Sequence, residues 1–205
     1  MGLVGFSFIG SGSGGGNLGQ GQRQLLTLLR QTQTIAMSTG RETRLLVNVN
    51  MSDQEKFLRY MEVVVQDSSN SDSWKIQGDG FYLPNGIWLV QKESIGDDWP
   101  SDGHSVWSNP DTEESFMLSY PQNGNRITTG AELTEFKYIS CNSSGVFQTD
   151  KFPSMPKLVI AKGNLVISKG DSILSFNDSL LLAGLMVQPF GGIFALGSGD
   201  FLNAN

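Results

Sequence analysis

His104 is the single histidine of this 205-residue chain, and it stands in Asp102-Gly103-His104-Ser105, where acid, base and hydroxyl fall within four residues. A Ser-His-Asp relay needs those groups to converge, with the serine on an exposed, strained turn. No nucleophile elbow or other supporting motif accompanies them, and the residue set argues against an enzyme. Asp97, Asp98 and Asp102 could offer oxygen ligands to Ca2+. Their spacing lacks the alternating acids and closing glutamate of a calcium loop, so a solvated acidic loop is the simpler reading. No metal ligand set, cofactor or small-molecule substrate is called for.

Cys141 is the only cysteine, which excludes an internal disulfide and a cysteine-clustered metal site. It follows the strand-like Tyr138-Ile139-Ser140, and only Lys137 stands near enough in sequence to favour a thiolate. The expectation is a buried, inert thiol. Asn142-Ser143-Ser144 and Asn177-Asp178-Ser179 match the glycosylation pattern, which short chains meet by chance, and they carry no weight.

Trp99 and Trp107 flank His104 in residues 92–114, a polar stretch with prolines and no periodicity. A loop of that length asks for a function or for disorder. The tryptophans either fold back onto a sheet or stand exposed as anchors for a partner. Trp99, His104 and Trp107 are therefore the candidate partner-binding residues.

The elements that must position this loop follow from hydrophobic period. Between residues 22 and 39, Leu25, Leu28, Leu29, Ile35 and Ala36, with Thr32 between them, recur at intervals of three and four, with Gly40 as a stop. The spacing predicts an amphipathic helix of about five turns. Past Gly40 the period shortens. Leu45, Val47, Val49 and then Tyr60, Val63, Val65 suggest a hairpin. Residues 74–77 and 86–90 suggest a second strand pair across the turn-rich 78–85. Further strands are expected at 116–120, 133–140, 157–161, 165–168 and 173–176. The glycine-rich 188–192 splits a closing hairpin. The fold class is α+β, an N-terminal amphipathic helix packed on antiparallel β-sheets.

The chain is long enough for one domain with a real core. Gly10-Ser11-Gly12-Ser13-Gly14-Gly15-Gly16 reads as a flexible linker, so residues 1–21 are set apart from a globular domain of 22–205. That domain divides into the helix 22–39 and a β region, 43–205. A net charge of −6 disfavours phosphate backbones as general partners. No run of eighteen apolar residues is present to span a bilayer.

Three segments together carry a resemblance: the helix from Gln24-Leu25-Leu26 to Ser38-Thr39-Gly40, the turn Gly80-Phe81-Tyr82-Leu83-Pro84-Asn85-Gly86-Ile87, and the closing Gly191-Gly192-Ile193-Phe194. In order and spacing they resemble the minor pseudopilins and pilin-like proteins of the type II secretion H-subunit and FimT kind. The resemblance spans roughly residues 22–196. Members of that family begin with Gly-Phe-Thr-Leu-Ile-Glu, cut after the glycine, and continue as a long apolar helix. Gly5-Phe6-Ser7-Phe8-Ile9 looks like that start, with Gly5 and Phe6 at the implied processing and methylation point. Gly10, however, stands where the glutamate belongs, and the apolar helix is absent. A membrane segment exchanged for a Gly/Ser linker fits better than a vector-derived tag, because the helix expected at Gln22 starts abruptly.

The resemblance implies a non-catalytic subunit assembling with other minor and major pseudopilins or pilins. It would be anchored in the inner membrane by the missing helix, with its β domain in the periplasm or on a filament surface. Two other functions compete. A DNA-binding minor pilin would need an exposed basic stripe, but Arg23, Arg30, Arg41, Arg44, Lys56 and Arg59 lie on elements already committed to packing. A carbohydrate-binding β-sandwich would rest on Trp99 and Trp107 alone.

Overall fold

The computed structural model of the protein describes residues 13–69, 73–90, 116–119, 126–128, 133–148, 157–168, 171–176, 181–188 and 190–202. Helix α1 runs Ser13–Thr39. Its apolar side chains Leu18, Leu25, Leu28, Leu29 and Ala36 are buried, Thr32 with them, and Ile35 is partly buried. Gly40 ends it with φ 65° while the Arg41 amide donates to the Ala36 carbonyl, the left-handed closure that glycine permits at a helix C-terminus.

The start of α1 corrects the sequence expectation. The helix begins nine residues before Gln22, inside the Gly/Ser run that composition reads as a linker. Glycine costs a helix about 1 kcal/mol relative to alanine, so local propensity opposes this extension and tertiary contact favours it. Leu18 is buried, and a side chain at Gly21 would press on Ile160, Ile87 and Pro84. The bare backbone at Gly21 lets the helix settle onto the sheets.

The first sheet contains β1 (Thr43–Asn48), β2 (Tyr60–Gln66), β3 (Ser73–Ile76), β4 (Phe81–Tyr82), β6 (Phe116–Ser119), β7 (Arg126–Thr128), β8 (Leu133–Cys141) and β9 (Phe147–Gln148). All its pairings are antiparallel. Its order β1-β2-β3-β7-β6-β8 closes on itself, because β8 pairs β1 as well. The result is a small barrel, which leaves those strands no open edge. Alternation divides the side chains. Leu45, Val47, Met61, Val63 and Ile139 face α1, while Leu46, Val64, Trp74 and Phe136 form a separate cluster inside the ring.

The second sheet runs β11 (Asp171–Phe176), β10 (Lys157–Ser168), β12 (Leu182–Val187) and β13 (Ile193–Leu196), with β5 (Ile87–Leu89) also on β10. A short helix α2 (Ser198–Leu202) follows. The hairpins β1–β2 and β12–β13 agree with expectation. Two expectations fail. β3 and β5 do not pair with each other: β3 joins β2 and β7, and β5 joins β10. The strands expected on either side of Gly163 are one strand, β10, which gives its first half to β12 and its second to β11. A Cβ at Gly163 would lie 2.8 Å from the Ser175 carbonyl, so glycine here admits close strand approach and does not break the strand. No helix of the described residues is long and apolar enough to cross a membrane.

Candidate functional site: the helix and its seat

Residues that the sequence nominates for chemistry fall mostly outside the described set. Gly5, Phe6, Trp99, His104 and Trp107 lie there, as do all of residues 92–114 with Asp97, Asp98 and Asp102, and the Asn177 pattern. Cys141 is described and fully buried on β8, and burial pushes its thiol up to about 11. Such a thiol is a poor nucleophile at neutral pH. The Asn142 side-chain oxygen accepts from the Ser144 and Val146 amides, closing a turn. Among the described residues no group of three or more His, Cys, Asp or Glu converges on a common point.

What the fold does assemble is a seat for α1. Both sheets reach the helix, and two glutamines fasten it to their backbones. Gln22 Nε2 donates to the carbonyls of Gly184 on β12 at 2.8 Å and Leu196 on β13 at 2.7 Å. Eleven residues further, three helical turns onward and on the same face, Gln33 Nε2 donates to Gly145 at 2.6 Å and Gly191 at 3.3 Å. Gly145 belongs to the turn between β8 and β9 of the first sheet, and Gly191 to the β12–β13 turn of the second. One amide therefore ties the two sheets together across the helix. A Cβ on Gly191 would press on Gln33 Nε2 and on the Gly145 carbonyl, and both glycines have positive φ.

The turn 80–87 forms the other end of the seat. Gly80 lies against the Tyr60 ring so closely that a side chain would overlap it. Leu83 and Ile87 are buried in the main core, and Pro84 and Ile87 meet α1 at Gly21. Arg59 Nη2 donates to the Leu83 carbonyl at 3.1 Å and to the Asn85 side chain at 2.9 Å. Its guanidinium also lies 5.2 Å from the Trp88 ring centroid. Trp88 Nε1 in turn donates to the Gly163 carbonyl on β10. Leu58, with φ 52° and no exposure, holds a conformation uncommon for leucine where the β1–β2 connection meets β5. Sequence reading singled out this turn only as a pattern. Arg59, which links its pieces, carries no sequence signal beyond its charge.

Inside the barrel, Arg44 is stacked between Trp74 at 4.0 Å and Tyr138 at 4.3 Å, with Glu42 accepting from its Nε at 2.7 Å. Tyr60 donates a short hydrogen bond to the buried Glu62. At one margin Asp67 accepts from the Ser69 amide and hydroxyl and pairs with Lys75 at 3.1 Å, which holds its carboxyl well below the usual range. Arg44 is thus committed to packing within the ring, whereas Arg23 and Arg30 of the same basic set stand exposed on α1.

No family model and no curated protein matches the chain. Among solved structures, the chain is similar to the minor pseudopilin EpsH of the Vibrio cholerae type 2 secretion system, with 12% identity and a TM-score of 0.46 over 89% of this chain and 98% of that one. It is also similar to the Pseudomonas aeruginosa type IV minor pilin FimU, with 10% identity and a TM-score of 0.44 over 90% of this chain and 91% of that one.

Proposed function

We propose that this protein is a non-catalytic, pilin-like structural subunit that takes part in building a secretion pseudopilus or a type IV pilus. The observation that carries the reading is the place of α1. A single 27-residue helix, first in the chain, serves as the common spine of both sheets. As an amphipathic helix does, it packs one face on the sheets and presents the other to solvent. Here one polar stripe stays exposed along most of its length.

Helix 22–39 and the turns 80–87 and 191–194, which carry the sequence resemblance, are also the pieces that join helix to sheets. The resemblance therefore rests on residues with a shared structural task. In this reading an N-terminal apolar helix, whose place the Gly/Ser run takes in this sequence, anchors the protein in the inner membrane before assembly, with processing at Gly5–Phe6. The β domain then faces the periplasm or the filament surface. Residues 92–114, with Trp99, His104 and Trp107, are the proposed contact loop for neighbouring subunits or exported cargo.

The test is genetic. Removing the gene in its host is expected to abolish or shorten surface filaments, or to stop secretion of the exported proteins, and a copy carrying Trp99→Ala with Trp107→Ala is expected to restore function only in part. A null strain with normal filaments and normal secretion would overturn the reading.

A further inference from the structure

Strand β13 ends the second sheet, bonded to β12 along one side and to no other strand of the described residues along the other. The Gln188 amide donates to the Gly192 carbonyl at the mouth of the hairpin. Alternation from there turns the backbone groups of Phe194 and Leu196 toward β12 and those of Ile193 and Ala195 outward. Past Ala195 the edge closes, because the Gly197 amide donates to Asp200 Oδ2 at 2.7 Å. Open edges are commonly guarded by a charge or a proline, and Ile193-Phe194-Ala195-Leu196 has neither. Beside it Phe190, at the hairpin tip, is 93% exposed, and Phe194 is 48% exposed.

The helix flank beside this edge is cationic. Gln22 bonds the Leu196 carbonyl and Gln33 the Gly191 carbonyl, so α1 and β13 run antiparallel, side by side. Going round the helix, Gly21 faces Ile160 on β10 and Ile87 on β5, and Gln22 faces β12 and β13. Leu26, Arg30 and Arg23 follow about 40–100° beyond Gln22 in the same direction. That order carries both arginines past β12 and β13 to the side of the open edge. By rise along the axis, Arg23 lies level with Leu196, and Arg30 falls between Gly192 and Ile193. Both are exposed, and neither enters an ion pair among the described residues. None of the 27 helix residues is acidic.

We propose that the outer edge of β13 takes up an extended acidic segment of a partner protein as an added strand. Main-chain bonds to Ile193 and Ala195 hold the segment, and its side chains alternate between two surroundings. Those on the α1 side are carboxylates that meet the guanidinium forks of Arg23 and Arg30. Those on the other side are apolar and lie beside Phe194, on the face where Leu196 packs against Val159 and Leu182. Charge complementarity selects the occupant, because a basic strand would be repelled by the same two arginines. The edge involves none of residues 92–114, and the proposal stands without the assembly reading.

The probe is a short fluorescein-labelled peptide alternating glutamate and valine, titrated into the full chain and followed by anisotropy. It is expected to bind, and to slow amide exchange at Ile193 and Ala195. The matching lysine–valine peptide is expected not to bind. R23E with R30E weakens uptake on the order of a hundredfold. A195P removes an outward amide that the β12 ladder does not use, so it abolishes uptake with little change in melting temperature. Should that variant unfold, N-methylation of the peptide amides blocks the same bonds from the other strand and abolishes uptake by the parent chain. No binding of the glutamate peptide, equal binding of the lysine peptide, uptake that survives N-methylation, or unchanged exchange at Ile193 and Ala195 would each overturn the proposal. So would a parent chain that ignores the peptide and self-associates through an edge that A195P silences, which would give β13 to a second copy.

Discussion

The Gln22 amide nitrogen lies 2.7 Å from the carbonyl oxygen of Leu196, joining the first helix to the last strand across 174 residues. With its second bond to Gly184 it fixes the level of α1 on the second sheet. Gln33 does the same one end further along, at the junction of both sheets.

Replacing either glutamine with alanine is expected to cost about 1–2 kcal/mol, the range for a partly buried hydrogen-bonding group whose carbonyl partners lose their donor. Urea denaturation reads it. The sites are about 16 Å apart along the axis, so the double variant is expected to show the sum of the singles within about 0.5 kcal/mol. A marked departure would mean the two sheets release the helix cooperatively.

Gly80→Ala is expected to destabilise by about 1–3 kcal/mol, the range for forcing atoms into a packed site, because the added methyl would overlap the Tyr60 ring. Combining it with Tyr60→Leu relieves the overlap, and part of the loss returns in thermal melts. No recovery would place the strain in the backbone at Gly80 and not against the ring.

Asp67 has a folded-state pKa depressed first by the Ser69 amide and then by Lys75. A depressed carboxylate contributes stability that is complete above its unfolded value, near 3.8, and is lost as pH falls below that. Asp67→Asn is expected to flatten the acid limb of a stability profile between about pH 4 and pH 2, with little change in its shape near neutrality. An unchanged acid limb would contradict the assignment.

Cys141 is buried with a thiol raised to about 11, so it is expected to ignore a disulfide reagent at pH 8 in the native protein and to react at once in denaturant. Rapid native labelling would show that β8 opens locally.

Much of this fold is written in local pattern, and its departures have identifiable causes. The β1–β2 and β12–β13 hairpins follow from successive apolar runs, the first across the connection 49–59 and the second across the turn 188–192, where sequence neighbours become spatial neighbours. The partners of β3 and β5 are distant in sequence, and nothing in residues 74–90 encodes β7 or β10. Gly21, inside α1, and Gly163, inside β10, show why glycine is an ambiguous signal. Glycine punctuates an isolated segment but, in a packed one, it admits a neighbour where a side chain would not fit. Arg59 shows a further limit, because a cation that holds a carbonyl, an amide and a ring has the same sequence signature as one facing solvent. The loop around His104, and Gly5 with Phe6, lie outside the described residues, so the fold adds nothing to their assignment.

The central claim is that α1 and its seat belong to a subunit built to join others. The most direct measurement is light scattering and pull-down of the full chain with the minor pilin-like subunits encoded beside its gene. The account predicts a hetero-complex of defined mass. A chain that stays monomeric in the presence of every such neighbour would contradict it.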